Sequence, residues 1–232
     1  MTIVFPRPMP LTGIGQQLFD IQRVDFAAPE AGGTMGGVQA GFPLWIATWT
    51  TARNTRDVSD EWIAWLSTMR GSQKRFLGRD YARSFPRIYP RGFGGLVRPD
   101  GNAFDGSATG WTETIDGVGT AYLTLRGLPA GLVLSLTDLI GFRWDVGGAA
   151  AKSWGRRTIA RVVEAGTASA TGIVTVAIEP PLPYFIPPTA QAHLDNPACV
   201  MTVMPQDTKV APIDRRLVAT GTVLAGIQDL RP

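Results

Sequence analysis

The chain is poor in the side chains that most often do chemistry, with one cysteine and one histidine among 232 residues. Cys199 has no second thiol to join, so no intramolecular disulfide is available and stability must come from burial. His193 is the sole imidazole, which excludes a multi-His or multi-Cys zinc site. A Ser-His-Asp arrangement would have to use His193, yet no G-x-S-x-G elbow occurs, and a surface or interface histidine is the simpler expectation. Gly13-Ile14-Gly15 lacks the third glycine of a dinucleotide fingerprint, and no G-x-x-x-x-G-K-[ST] phosphate loop exists. No cofactor and no enzymatic activity are expected.

Charge is also sparse, at 18% of residues against 44% hydrophobic, a balance that excludes disorder for the bulk of the chain. No apolar run is long enough to span a bilayer, and the start MTIVFPRPMPLTG lacks a basic region followed by an unbroken apolar stretch. Neither membrane insertion nor secretion is expected, and synthesis in the cytoplasm fits best. What is plentiful is glycine and proline, 27 and 18 residues scattered without period, as expected of short strands joined by turns.

The readable elements are mostly strands. Leu11 to Phe26 alternates towards its end, and the glycine cluster Gly32 to Gly37 then predicts a turn. GFPLWIATWTTAR predicts a second strand, with Trp45, Ala47 and Trp49 on one face and Leu44, Ile46 and Thr48 on the other. VSDEWIAWLSTMRG predicts one helix over 59–70, capped by Ser59 and ended by Gly71, with Trp62, Trp65, Leu66 and Met69 on one apolar stripe. Beyond Gly92 come short β-type runs: TAYLTLRGL, LVLSL, IGFRWDV, then strands at Thr158 to Val163, Gly172 to Ile178, Ala198 to Met204 and Leu217 to Ala225. The expected fold is mainly β with one short α-helix: an N-terminal β domain over 1–95, a second, β-sandwich-like domain over 96–190, and C-terminal strands over 191–232 returning to the first domain.

The most unusual pattern is RDYA-RSFP-RIYP-RGFG, a four-residue register in which Arg79, Arg83, Arg87 and Arg91 each precede Tyr81, Phe85, Tyr89 or Phe93 by two positions. Pro86 and Pro90 oppose a regular helix or a central strand, so the segment is expected to be extended, with all eight side chains interleaved on one face. Such a strip suits contact with another subunit, since Arg, Tyr and Phe are interface-rich types. Stacking on nucleic acid and packing within the chain are the alternatives. Asp100, Asn102 and Asp105 are calcium-type ligands, but their spacing departs from an EF-hand loop and fits an Asx-rich turn.

Taken together, GFPLWIATWTTAR, DEWIAWLSTMRGSQKRFLGRD and RRTIARVVEAGTASATGIVTVAIEPPLP resemble distal tail proteins of long, non-contractile phage tails and related gene-transfer particles. The resemblance covers under half the chain. It implies a structural virion protein at the tail tip, forming a ring, commonly hexameric, between tail tube and hub. The implied partners are further copies of the chain, the tail tube protein, the hub protein and the tape-measure protein. A carbohydrate-binding module, with Trp111, Trp144 or Trp154 as sugar platforms, is the competing expectation.

Overall fold

The computed structural model describes residues 3–29, 32–33, 35–145, 155–215 and 218–231. The first elements are β1 (Arg7–Pro8), β2 (Ile14–Gln22), β3 (Asp25–Pro29), β4 (Met35–Gln39), β5 (Leu44–Thr51), β6 (Arg53–Thr55), α1 (Arg56–Met69) and β7 (Arg75–Gly78). There follow β8 (Gly110–Ile115), β9 (Ala121–Arg126), β10 (Val133–Leu134), β11 (Leu139–Trp144), β12 (Arg156–Val162), β13 (Gly166–Thr167) and β14 (Val174–Glu179). The last are β15 (Gln191–His193), β16 (Cys199–Val203), β17 (Val218–Thr220) and β18 (Val223–Gln228). The fold is mainly β, with α1 the single α-helix of the described residues.

Two compact units divide the chain: residues 10–75 with 201–232, and residues 1–9 with 76–200. The boundary falls at 75/76, not 95/96, because the Arg and aromatic segment contributes rings to the core of the second unit. The later boundary falls at 200/201, not 190/191, and residues 201–232 lie in the same unit as 10–75.

In the helix-bearing unit, β16, β18, β5 and β2 are successive neighbours in one sheet. The period-two alternation of β5 buries Trp45, Ala47, Trp49 and Thr51 and leaves Leu44, Ile46, Thr48 and Thr50 half-exposed. Phe19 on β2 meets Trp45 and Trp49 at ring centroid distances of 5.2 and 6.0 Å. The Trp45 amide donates to Gln228 Oε1 at 3.1 Å, which satisfies a buried polar side chain on β18. Trp62, Trp65 and Met69 on α1 are buried, as their helical spacing requires. The helix begins three residues earlier than expected, with Thr55 at the cap and Ser59 buried inside it. The cause is β6, which pairs with β17 up to Thr55 and hands the chain directly to the helix. Asp57 occupies the positive first turn, and Arg70 ends the helix in the left-handed region at φ 50°. Gly36 and Gly37 lie in β4, opposite Ala28 and Ala27, where a turn was expected. The expected strand from Leu217 breaks into β17 and β18 at Gly221, whose φ is 85°; Leu217 itself lies outside the described residues.

The central unit is built on a six-stranded antiparallel sheet of order β15-β11-β12-β14-β9-β8. Its core face carries Leu123, Leu125, Ile140, Phe142, Val176 and Ile178. The small ribbon β10–β13 supplies Leu134 to the same cluster, which Phe93 and Phe104 join from loops, giving a sandwich-like layer over one face of the sheet. Strand β1 pairs in parallel with β7 through Arg7↔Phe76 and Pro8↔Leu77. Among the described residues, no helix is long and apolar enough to cross a membrane.

Candidate subunit-contact site

The Arg and aromatic segment is not extended. A short 3-10 turn, Tyr81–Arg83, opens it, and hydrogen bonds from Tyr89 N to Pro86 O, Gly92 N to Tyr89 O and Leu96 N to Phe93 O fold the rest into successive β-turns. Pro90 takes the second position of its turn, where its fixed φ is favourable, and Gly95 at φ 84° takes the third position of the last. The four-residue repeat therefore matches the length of a β-turn and does not match two pleats of a strand.

This folding separates the two residue classes. Phe93 is buried, and it meets Phe85, Tyr89 and Phe104 at 5.8, 6.0 and 4.9 Å between ring centroids. The Tyr89 hydroxyl accepts a hydrogen bond from the Val133 amide at 3.2 Å. Tyr81 alone of the four aromatics is exposed, while Arg87 and Arg91 face solvent. The expectation of one interleaved face is corrected: three rings close the core and the guanidinium groups remain outside it. Arg79 is half-buried, with Nη1 3.5 Å from Asn196 Oδ1, and burial lowers its pKa.

Around this segment lies a cleft of about 630 Å³ whose lining includes Tyr81, Arg83, Pro86, Arg87, Thr137 and Asp138. Two buried carboxylates hold its shape. Asp80 accepts from the amides of Ala82 and Arg83 at 2.8 and 3.2 Å and pairs with Arg83 Nη1 at 2.6 Å. Asp138 accepts from the Arg87 amide at 2.8 Å through Oδ1 and from the Ser135 amide at 2.7 Å through Oδ2. Burial raises the Asp138 pKa, opposed by the Ser135 and Arg87 amides and by the charges of Arg83 and Arg87. Next to it, Thr137 sits at φ 71°, a strained conformation for a β-branched residue. Its amide donates to Val162 O, and the Val162 amide donates back to Asp138 O, each at 2.8 Å. The result is a hydrogen-bonded pocket floor beside which Tyr81 and Arg87 are exposed, while Arg83 is held by Asp80.

The remaining candidates are scattered. Trp111 is half-buried, donates from Nε1 to Ala190 O at 2.7 Å and meets Phe142 edge-on at 5.1 Å, so it serves its own core. Trp144 lies 6.5 Å from Phe185, and Trp154 lies outside the described residues. Tyr184, 99% exposed and 5.7 Å from Phe185, was not singled out from the sequence. The proline-flanked run PPLPYFIPP was the available signal, since prolines stiffen a loop and present its tip. His193 is buried, not at the surface: its Nδ1 donates to Asp195 O at 2.8 Å, and Gly141 opposite leaves room for the ring. Asp100 accepts from both the amide and Nδ2 of Asn102 at 3.0 Å, an Asx turn, and its pKa is lowered chiefly by that amide. Among the described residues, no group of three or more His, Cys, Asp or Glu could hold a metal ion.

The fold and cleft define the class of this chain as a two-unit, mainly β protein whose central unit carries a cleft lined by residues that include Tyr81, Arg83, Arg87 and Asp138. No protein-family model matches the chain, and no curated protein matches it.

Proposed function

We propose that this protein is a non-enzymatic structural subunit that works by self-association, and specifically a distal tail component forming a ring between the tail tube and tip hub of a phage-type tail. The observation that carries the association is the cleft whose lining includes an exposed aromatic ring, Tyr81, and an exposed guanidinium, Arg87. Arg and aromatic surfaces are the types that protein partners bury, with guanidinium groups pairing with carboxylates in a planar fork. The strand, helix and strand order of β5, α1 and β7 supports the finer assignment through the resemblance already noted. The partners under this reading are further copies of the chain, commonly six in a ring, together with tail tube, hub and tape-measure proteins. The place of action is the virion tail.

Analytical ultracentrifugation of the purified chain, with electron microscopy of any closed assembly, tests this reading. Symmetric oligomers that Arg87→Glu disperses are the expected result. A wild-type chain that remains monomeric at every accessible concentration overturns it.

A second reading, glycan recognition by the central unit, draws on Tyr184 and Phe185 beside Trp144. Exposed aromatic faces are suitable sugar platforms. Saturable glycan binding that Tyr184→Ala abolishes would establish it; an empty glycan array would remove it.

A further inference from the structure

A second group of charges lies on the central sheet, on the face opposite its core. Phe142 on β11 and Ala160 on β12 belong to the core, so Arg143 and Arg157, an odd number of residues away on the same strands, face the other side. Arg143 and Arg157 are direct cross-strand partners, and Gln191 on β15 flanks Arg143 on its other side. Arg143 Nε donates to Gln191 Oε1 at 2.8 Å. Arg79, the residue after β7, joins them: its charge acts on Arg157, and its Nη1 lies 3.5 Å from Asn196 Oδ1. All of these residues belong to the central unit.

Like charges directly opposite each other on a sheet repel, and guanidinium groups are rarely withdrawn from water without matching carboxylates. Here all three are half-buried. Burial lowers the pKa of Arg79 and of Arg157, and Arg157 is lowered further by the charges of Arg143 and Arg79, opposed by Asp195. Asp195 is engaged elsewhere, with Oδ1 3.3 Å from His193 Nδ1, and among the described residues it forms no ion pair with the three arginines. Asp145, two residues past Arg143, accepts from the Gly155 amide at 3.3 Å and is not among the charges that act on Arg157. Even with both acids counted, positive charges outnumber negative by three to two.

We infer that Arg79, Arg143 and Arg157 form a binding site for a tetrahedral oxyanion of the phosphate or sulfate class. A guanidinium carries five N–H donors in a planar fork, so it serves more than one acceptor at once. The Cβ atoms of direct cross-strand partners stand about 4.5–5.5 Å apart, close enough for two forks to meet on one anion. Half-burial strengthens each such bond and favours a compact ion, whereas a polyanion is held by a row of exposed cations along its track. Once bound, the ion offsets the repulsion between Arg143 and Arg157. The site shares no residue with the cleft at Tyr81 and Arg87, and its failure would leave the self-association reading intact.

The test uses the full-length chain in phosphate-free buffer at constant ionic strength, titrated with inorganic phosphate or sulfate and read by thermal midpoint and calorimetry. Arg143→Gln and Arg157→Gln probe the site, and Arg91→Gln, at an exposed position outside it, is the control. Wild type and Arg91→Gln are expected to gain thermal midpoint saturably with either ion, and each site variant to bind at least about 10-fold more weakly. If a Gln variant does not fold, Arg157→Lys, which keeps the charge and loses the fork, is read in its place with the same expectation. A wild-type chain without a saturable response overturns the site, as do equal responses in Arg91→Gln and Arg157→Gln. Site variants that melt below wild type yet respond to phosphate as wild type does assign these arginines to the fold alone and also overturn it. Binding of a short single-stranded DNA, lost in the site variants and unaccompanied by any response to phosphate or sulfate, overturns a small-ion site in favour of a nucleic-acid surface.

Discussion

The backbone amide of Arg87 donates to the buried carboxylate of Asp138 at 2.8 Å, tying the turn segment to the β10–β11 connection across 51 residues of sequence. Asp138→Asn keeps one acceptor oxygen but sets an NH₂ against either the Arg87 or the Ser135 amide. The expected loss is about 1–3 kcal/mol of unfolding free energy. The pH dependence follows from the raised pKa of Asp138, chiefly a consequence of its burial. The native state holds this proton more tightly than the unfolded chain, so Asp138 lends stability below the unfolded carboxylate range, near about 3.9. That contribution is lost as pH rises through the higher folded value. Urea melts of wild type and Asp138→Asn over this window should therefore show their difference narrowing as pH rises; a widening difference would contradict the assignment.

Phe93 and Tyr81 occupy equivalent places in the four-residue register and opposite places in the fold. Phe93→Ala is expected to cost about 3–5 kcal/mol, because it opens a cavity between Phe85, Tyr89 and Phe104. Tyr81→Ala, at a position 37% exposed, should change stability by no more than about 0.5 kcal/mol. Chemical denaturation of the two variants checks the separation.

Gly141 faces His193 across the β11–β15 pair, and a Cβ there would stand 2.5 Å from His193 Nε2. Neither the ring nor the strand backbone can retreat easily, because His193 is fully buried. Gly141→Ala should destabilise the chain by about 1–3 kcal/mol through overpacking, read as a lower thermal midpoint.

Thr137 stores strain at φ 71°, and Thr137→Gly should release it. Relief of about 1–3 kcal/mol, less about 0.5–1 kcal/mol for the greater freedom of glycine in the unfolded chain, leaves a modest net gain. A lowered denaturation midpoint would show that the hydroxyl or methyl group contributes more than the strain removes.

Cys199 is fully buried, and desolvation raises its thiol pKa well above the ordinary range. It should resist thiol reagents in the native protein and react upon denaturation. Rapid stoichiometric labelling of the folded chain would contradict its placement on β16.

The elements legible in the sequence were those with a local period. Trp45, Ala47 and Trp49 alternate because a strand places successive side chains on opposite faces, and their burial follows that period. Trp62, Trp65 and Met69 follow the helical period in the same way. The helix start was displaced because pairing of β6 with β17, more than 160 residues away by number, lies outside any local window.

By itself the sequence determined a mainly β chain with an amphipathic helix, because composition and short-range periodicity are properties of neighbouring residues. Tertiary structure alone decided what the Arg and aromatic register does. A four-residue repeat is compatible with an extended strip or with successive β-turns, and the choice depends on where its rings can be buried. Phe104 on one side and the Asp138 carboxylate on the other supply that burial and anchorage, turning Phe85, Tyr89 and Phe93 inward while Arg87 and Arg91 remain exposed.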